Sequence, residues 1–299
     1  MTDKLARGIW PALVTPFTDD GNGVATDRVD PLIRHLLDAG AQGFFVCGGT
    51  GEGVAMTVDE RKAMTEATVA SVAGAVPLIF QVGATSTDHA VELARHAAQT
   101  GADAVASVAP LDQPNDLHAA VAHYRAIGAA TDLPFYVYWI AGTADQSVSA
   151  EQYLEAMAAV PNFSGLKFTD SNFYLFQRLV QLGSQHLNLI SGPDEICLGG
   201  MVAGSDAAIG STYNIMPKIF LEMRRQFETG DIRSAMALQA RANEVISMLF
   251  GFGILAAIKA MMGMRGVVVG PPRAPHTPLD ENRQADLQKA VDGLGFAVE

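Results

Sequence analysis

Leu36-Leu37-Asp38-Ala39-Gly40-Ala41 closes a segment of helical period and hands the chain to the apolar run Gly43-Phe-Phe-Val-Cys47. The joint points to a repeating architecture because it recurs. Ala97-Ala98-Gln99-Thr100-Gly101-Ala102 leads in the same way into Ala104-Val-Ala-Ser-Val108, and Met201-Val202-Ala203-Gly204-Ser205 into Ala207-Ala-Ile-Gly210. A glycine directly after a helical pattern suits the left-handed position beyond a helix end. Helices that leave into short buried strands are the repeating halves of βα units.

On either side of these joints, the apolar runs predict strands at Ile9–Thr15, Gly43–Cys47, Leu78–Val82, Ala104–Val108, Phe135–Tyr138, Ser164–Lys167, Leu187–Ser191 and Ala207–Gly210. Thr57-Val-Asp-Glu60 and Ser149-Ala-Glu-Gln152 read as capping boxes. Pro193 in Ser191-Gly-Pro-Asp194 sits near a helix start, where a missing N–H costs little. Eight strands alternating with helices predict an α/β fold, a (β/α)8 TIM barrel, over residues 1–228. Helical patterns follow at 215–228, 232–249, 254–262 and 280–294, with Pro271-Pro272 before the last. The first closes the barrel. Residues 229–299 are expected to form a C-terminal helical extension packed on its outside, within one structural domain.

A net charge of −12 opposes nonspecific binding to nucleic acid, which needs clustered Lys and Arg. The greasiest stretch, Val245–Ile258, is broken by Gly251 and Gly253 and falls short of the roughly 20 residues a bilayer requires. It is expected to be buried helix or subunit contact. The opening Met1-Thr-Asp-Lys has no apolar signal core, so a cytoplasmic location is expected. Cys47 and Cys197 form no CxxC, and the seven histidines show no metal-ligand spacing, so no metal site is expected.

In such a barrel the chemistry gathers at the carboxyl ends of the strands. Strand six there offers Phe163-Ser-Gly-Leu-Lys167-Phe-Thr169. An amine at the inner end of a buried strand has lost water and must be paired or neutral, and a neutral lysine is a nucleophile that forms Schiff bases with ketones. Strand five brings Tyr138, a phenol able to donate and accept protons. The turn Gly48-Gly49-Thr50-Gly51-Glu52-Gly53 offers closely spaced N–H groups and a hydroxyl, either a cradle for a carboxylate or phosphate or a tight structural turn. Gly192-Pro-Asp194-Glu195 and Gly210-Ser211 supply polar groups that could hold hydroxyls, or simply first-turn acids favoured by a helix dipole. No P-loop or GxGxxG pattern supports a nucleotide.

The ordered set Gly-Gly-Thr-Gly-Glu, Tyr138 and Gly-Leu-Lys167 resembles the pyruvate-dependent class I aldolase superfamily of dihydrodipicolinate synthase and N-acetylneuraminate lyase, from about Arg7 to Pro272. Gly-Leu-Lys167-Phe-Thr169-Asp, Gly192-Pro-Asp194-Glu195 and Gly-Ser211-Thr-Tyr-Asn-Ile-Met-Pro217 are nearest the sialic acid lyase branch. The resemblance implies a homotetramer without metal or cofactor that acts on pyruvate and an aldehyde. It makes Lys167 the Schiff-base lysine and Tyr138 the proton relay. Gly49 and Thr50 would hold the 2-oxo acid carboxylate, and Thr169, Gly192, Asp194, Glu195 and Ser211 would line the sugar-chain site.

Three departures bear on that reading. Gly49 stands where the family usually has Ser or Thr. Trp139-Ile-Ala-Gly-Thr143 lacks the arginine with which dihydrodipicolinate synthase grips its second substrate. Pro110-Leu-Asp-Gln113 replaces the aromatic residues common after strand four. Dehydration of a sugar acid, or condensation of pyruvate with another aldehyde, would use the same imine. The hydroxyl missing at Gly49 also motivates a noncatalytic sensor of 2-oxo acids.

Overall fold

The computed structural model describes residues 4–145 and 147–298; the first three residues of the opening segment, Gln146 and Glu299 lie outside the described residues. The strands are β1 (Gly8–Pro11), β2 (Phe44–Val46), β3 (Leu78–Gln81), β4 (Ala104–Ser107), β5 (Phe135–Ile140), β6 (Phe163–Thr169), β7 (Asn188–Ser191) and β8 (Ala207–Gly210). They alternate with helices α1 (Val29–Asp38), α2 (Val58–Val72), α3 (Thr87–Thr100), α4 (Leu117–Gly128), α5 (Ala150–Met157), α6 (Phe173–Gly183), α7 (Cys197–Ala203) and α8 (Pro217–Glu228). The parallel ladder runs β1-β8-β7-β6-β5-β4-β3-β2. Its two ends meet where Ala12 bridges Phe45 and the Leu13 N–H donates to the Phe45 carbonyl at 2.9 Å. The fold is a TIM barrel.

All three joints have the predicted geometry, with φ of 94° at Gly40, 104° at Gly101 and 99° at Gly204. In each, the next residue donates back five positions: Ala41 to Leu36 at 2.9 Å, Ala102 to Ala97 at 3.0 Å and Ser205 to Gly200 at 3.0 Å. This is the Schellman closure that satisfies a helix's last carbonyls. Both capping boxes form, at Thr57 with Glu60 and at Ser149 with Gln152. Pro193 precedes a 3-10 turn, Asp194–Ile196, which runs into α7.

Strand alternation divides the apolar residues between two cores. Trp10, Phe45, Ile79, Tyr136, Tyr138, Ile190 and Ile209 fill the barrel interior, while Phe44, Val46, Val137, Trp139 and Phe168 face the helices. Each large side chain so buried contributes about 1.5–3 kcal/mol. Most strand limits fall within one residue of expectation, and three strand ends differ by two or more. β1 ends at Pro11 rather than Thr15, because after Ala12 the backbone changes partner from β8 to β2. β5 and β6 each run two residues further, since Trp139 pairs with Phe168 and Ile140 with Thr169. Trp139 stacks on Phe168, with ring centres 5.6 Å apart, and extends the ladder to Ile140, beyond which Ala141, Gly142 and Thr143 form the loop.

The chain then forms α9 (Ile232–Phe250), α10 (Ile254–Met264) and α11 (Glu281–Asp292). α9 and α10 bend by 107° across Gly251–Gly253, and among the described residues no single helix is long and apolar enough to cross a membrane. Val245, Ile246, Leu249, Leu255, Ala257 and Ile258 are buried. Cys47 and Cys197 are buried free thiols, which burial pushes up to about 11 and about 12.

Candidate active site

Tyr138 and Lys167 stand opposite one another in the β5–β6 register, two residues inside the ends of their strands. Both therefore point into the barrel. Lys167 is 3% exposed. Its Nζ lies 4.0 Å from the centre of the Tyr138 ring and 5.3 Å from that of Phe45, and donates to Thr169 Oγ1 at 2.9 Å. Two residues apart on one strand, Lys167 and Thr169 share a face. Gly192 makes room for the threonine, because a Cβ there would lie 1.9 Å from Thr169 Oγ1. The glycine N–H in turn donates to the Phe168 carbonyl at 2.7 Å. Lys167, Thr169 and Gly192 thus form one packed unit across β6 and the end of β7.

Above this unit opens a cavity of about 530 Å³ lined by Thr169, Asp170, Gly192, Asp194, Glu195 and Ser211, with Ala141, Ile246 and Ile254 as apolar wall. Five of the seven residues expected to bind substrate line it. A larger hollow of about 950 Å³ lies at the amino-terminal ends of β1, β7 and β8. Its charges are engaged, Lys4 with Asp206 at 2.7 Å and Arg224 with Glu228 at 2.7 Å. It lies at the opposite end of the barrel from Lys167.

Asp194 is buried in the cavity wall. Its Oδ2 accepts from the Thr212 N–H at 2.8 Å, from Thr212 Oγ1 at 2.7 Å and from Ser211 Oγ at 3.4 Å. Oδ1 is buried without a hydrogen-bond partner among the described residues, in space that any Cβ on Gly210 would fill, at 1.9 Å. Burial pushes the carboxyl from 3.8 up to about 6, against the pull of the Thr212 hydrogen bonds. The native state therefore keeps this proton to higher pH than the unfolded chain does. Stability contributed by the neutral form is lost as pH rises through about 4 to 6, and the buried charge then costs about 3 kcal/mol. Asp194→Asn keeps an acceptor for Thr212 and removes the charge. It is expected to be about 2 kcal/mol more stable than the parent at pH 8 and to lose that advantage at pH 4. Urea denaturation at both pH values measures this, and a difference independent of pH refutes it.

The glycine turn lies across the mouth from the acidic wall. The N–H groups of Gly49, Thr50 and Gly51 enter no hydrogen bond among the described residues, while the Gly48 and Gly49 carbonyls accept from Gly53 at 3.1 Å and Glu52 at 3.0 Å. A Cβ added at Gly49 would stand 3.8 Å from the Tyr138 hydroxyl with nothing nearer. The turn and the phenol are neighbours.

Several residues at the site were not picked out from sequence. Asp170 accepts from Trp139 Nε1 at 3.1 Å and ties the residue just after β6 to the end of β5. From α9, Gln239 Nε2 donates to the Asp194 carbonyl at 3.0 Å and Asn243 Nδ2 to the Glu195 carbonyl at 3.1 Å. Two carboxamides one turn apart thereby hold the acidic loop's backbone. The spacing of Gln239 and Asn243 on one helix face was the available signal, but their partners lie more than forty positions away.

A parallel barrel with a buried lysine and a phenol at its carboxyl-terminal mouth suits imine chemistry, and this chain is a carbon–carbon lyase of the class I aldolase type. It belongs to the dihydrodipicolinate synthetase family, which it matches over residues 5–294. It is 32% identical over 285 residues to the N-acetylneuraminate lyase of Rhizobium meliloti, covering 95% of this chain and 94% of that one. The structure of Proteus mirabilis N-acetylneuraminate lyase superposes with a TM-score of 0.92 at 32% identity, covering 98% of this chain and all of that one (100%). The Clostridium difficile protein CdNal, solved in complex with mannosamine, gives a TM-score of 0.91 at 28% identity, covering 96% and 99%.

Proposed function

We propose that this lyase cleaves N-acetylneuraminate, or a related 2-keto-3-deoxy sugar acid, to pyruvate and an aldehyde through an imine on Lys167. The observation that carries the reading is the buried Nζ, seated over the Tyr138 ring and hydrogen-bonded to Thr169 beneath the cavity that Asp194, Glu195 and Ser211 line. The free N–H groups of the Gly49–Thr50 turn receive the substrate carboxylate. The amine adds to the C2 carbonyl and expels water, leaving a protonated imine. Tyr138 accepts the C4 hydroxyl proton as the C3–C4 bond breaks, and the electron pair flows into an enamine. Protonation of C3 and hydrolysis release pyruvate and free the lysine.

Thr169, Gly192, Asp194, Glu195 and Ser211 receive the sugar chain, and no cofactor enters the cycle. The names of the relatives, and the amino sugar in the Clostridium difficile complex, support the substrate class. A homotetrameric assembly, which the family resemblance implies, and a cytoplasmic location belong to the same reading.

Borohydride reduction in the presence of pyruvate is expected to leave a stable adduct on the Lys167 peptide. An adduct elsewhere, or none, sinks the imine. Pyruvate release from N-acetylneuraminate, compared with other 2-keto-3-deoxy acids, selects the substrate within the class.

A further inference from the structure

The glycine turn is bracketed by two non-glycine residues in the left-handed region, Cys47 at φ 57° and Glu52 at φ 55°. Such backbone persists only where its surroundings over-determine it. For Glu52 the surroundings come from the far end of the chain. Its Oε1 meets Lys259 Nζ of α10 at 2.7 Å, with both side chains 1% exposed. Its Oε2 accepts the backbone N–H of Arg273 at 2.6 Å. Lys259 Nζ also donates to the Pro271 carbonyl at 3.2 Å, and Lys259 and Arg273 sit over the Phe17 ring at 4.3 and 4.1 Å from its centre. The Arg273 guanidinium grips Glu60 through Nη1 at 2.8 Å and Nη2 at 2.5 Å. Glu60 is itself the capping-box residue of α2, the helix that follows the turn.

A fully buried ion pair is a poor source of stability, because removing both charges from water offsets most of their attraction. What it fixes is geometry: a carboxylate held by an ammonium and an N–H at once has little freedom to rotate. Here that carboxylate belongs to the residue whose own N–H closes the turn on Gly49. We propose that Lys259, acting through Glu52, is a positioning residue that holds the Gly49, Thr50 and Gly51 N–H groups in place for the 2-oxo acid carboxylate. The extension beyond the barrel thereby sets the enzyme's affinity for its keto acid without touching it. This rests on the reading of the turn as the carboxylate cradle.

The role concerns binding rather than bond making, so it separates the two kinetic constants. In Lys259→Met, the pyruvate concentration that half-saturates borohydride trapping at Lys167 is expected to rise at least about tenfold, with the trapping rate at saturation within about threefold of the parent. Because that variant strands a buried carboxylate, Glu52→Gln with Lys259→Met is made as well. It removes both charges, and it is expected to fold and to show the same raised half-saturation. Amide hydrogen exchange of Glu52 and Gly53, whose N–H groups close the turn on the Gly49 and Gly48 carbonyls, is expected to quicken about tenfold in both variants, without any substrate. Half-saturation within twofold of the parent in the double variant, or a loss confined to the saturated rate, overturns the proposal, as does unchanged exchange. Failure of the parent enzyme to be trapped by pyruvate would overturn the functional reading instead, and the exchange comparison still decides whether Lys259 holds the turn.

Discussion

Lys167→Met abolishes the borohydride adduct and lowers turnover at least about 10⁴-fold, yet leaves the folded state as stable as the parent or more so. The first half follows from chemistry: without an amine at this point no imine forms, and the route through an enamine is closed. Among the described residues the other buried lysine, Lys259, is paired with Glu52 and cannot stand in. The second half follows from packing. Lys167 reaches between the Phe45 and Tyr138 rings and donates to the Thr169 hydroxyl. Methionine has a similar length, and its sulfur packs well against aromatic rings. A denaturation midpoint at or above the parent's, with pyruvate release below the detection limit, is the expected pair of measurements. Residual turnover above about 1% would show that Lys167 is not the nucleophile.

The same contrast explains what could be read in advance. The helix-to-strand joints at Gly40, Gly101 and Gly204 were legible because a Schellman closure is local: six consecutive residues contain the donor, the acceptor and the glycine. Lys167 and Tyr138 were legible because each lies at a fixed place on a strand, and strand periodicity tells which way a side chain points. The support of the glycine turn was not. Glu52 lies more than two hundred positions from Lys259 and Arg273 along the chain and meets them only after α10 packs back on the barrel. One signal was present, a single lysine following the greasy stretch Val245–Ile258. A cation buried there needs a carboxylate partner, but sequence does not say which one. Strand limits failed for a related reason. Whether Trp139 and Ile140 continue β5 depends on Phe168 and Thr169 across the ladder, not on their own propensities.

Tyr138→Phe is expected to separate imine formation from carbon–carbon cleavage. The phenyl ring keeps its place beneath the Lys167 amine and its edge contact with Phe45, whose ring centre is 5.3 Å away. The adduct with pyruvate should therefore still form. Cleavage, which needs a base for the C4 hydroxyl, should fall about 10² to 10⁴-fold. Stability should hardly change, because no described residue hydrogen-bonds the phenol and only its oxygen is removed. Gly49→Ser probes the same oxygen from the other side. Its Cβ has open space and stands 3.8 Å from the hydroxyl, so a serine Oγ can bridge to Tyr138 without displacing anything. If proton transfer limits turnover in the parent, the serine raises kcat by about three- to tenfold. Combined with Tyr138→Phe it has nothing to bridge and should have no effect, so the two changes are coupled rather than additive. A loss of activity from Gly49→Ser in both backgrounds would give the glycine another purpose, leaving room for the substrate beside the phenol.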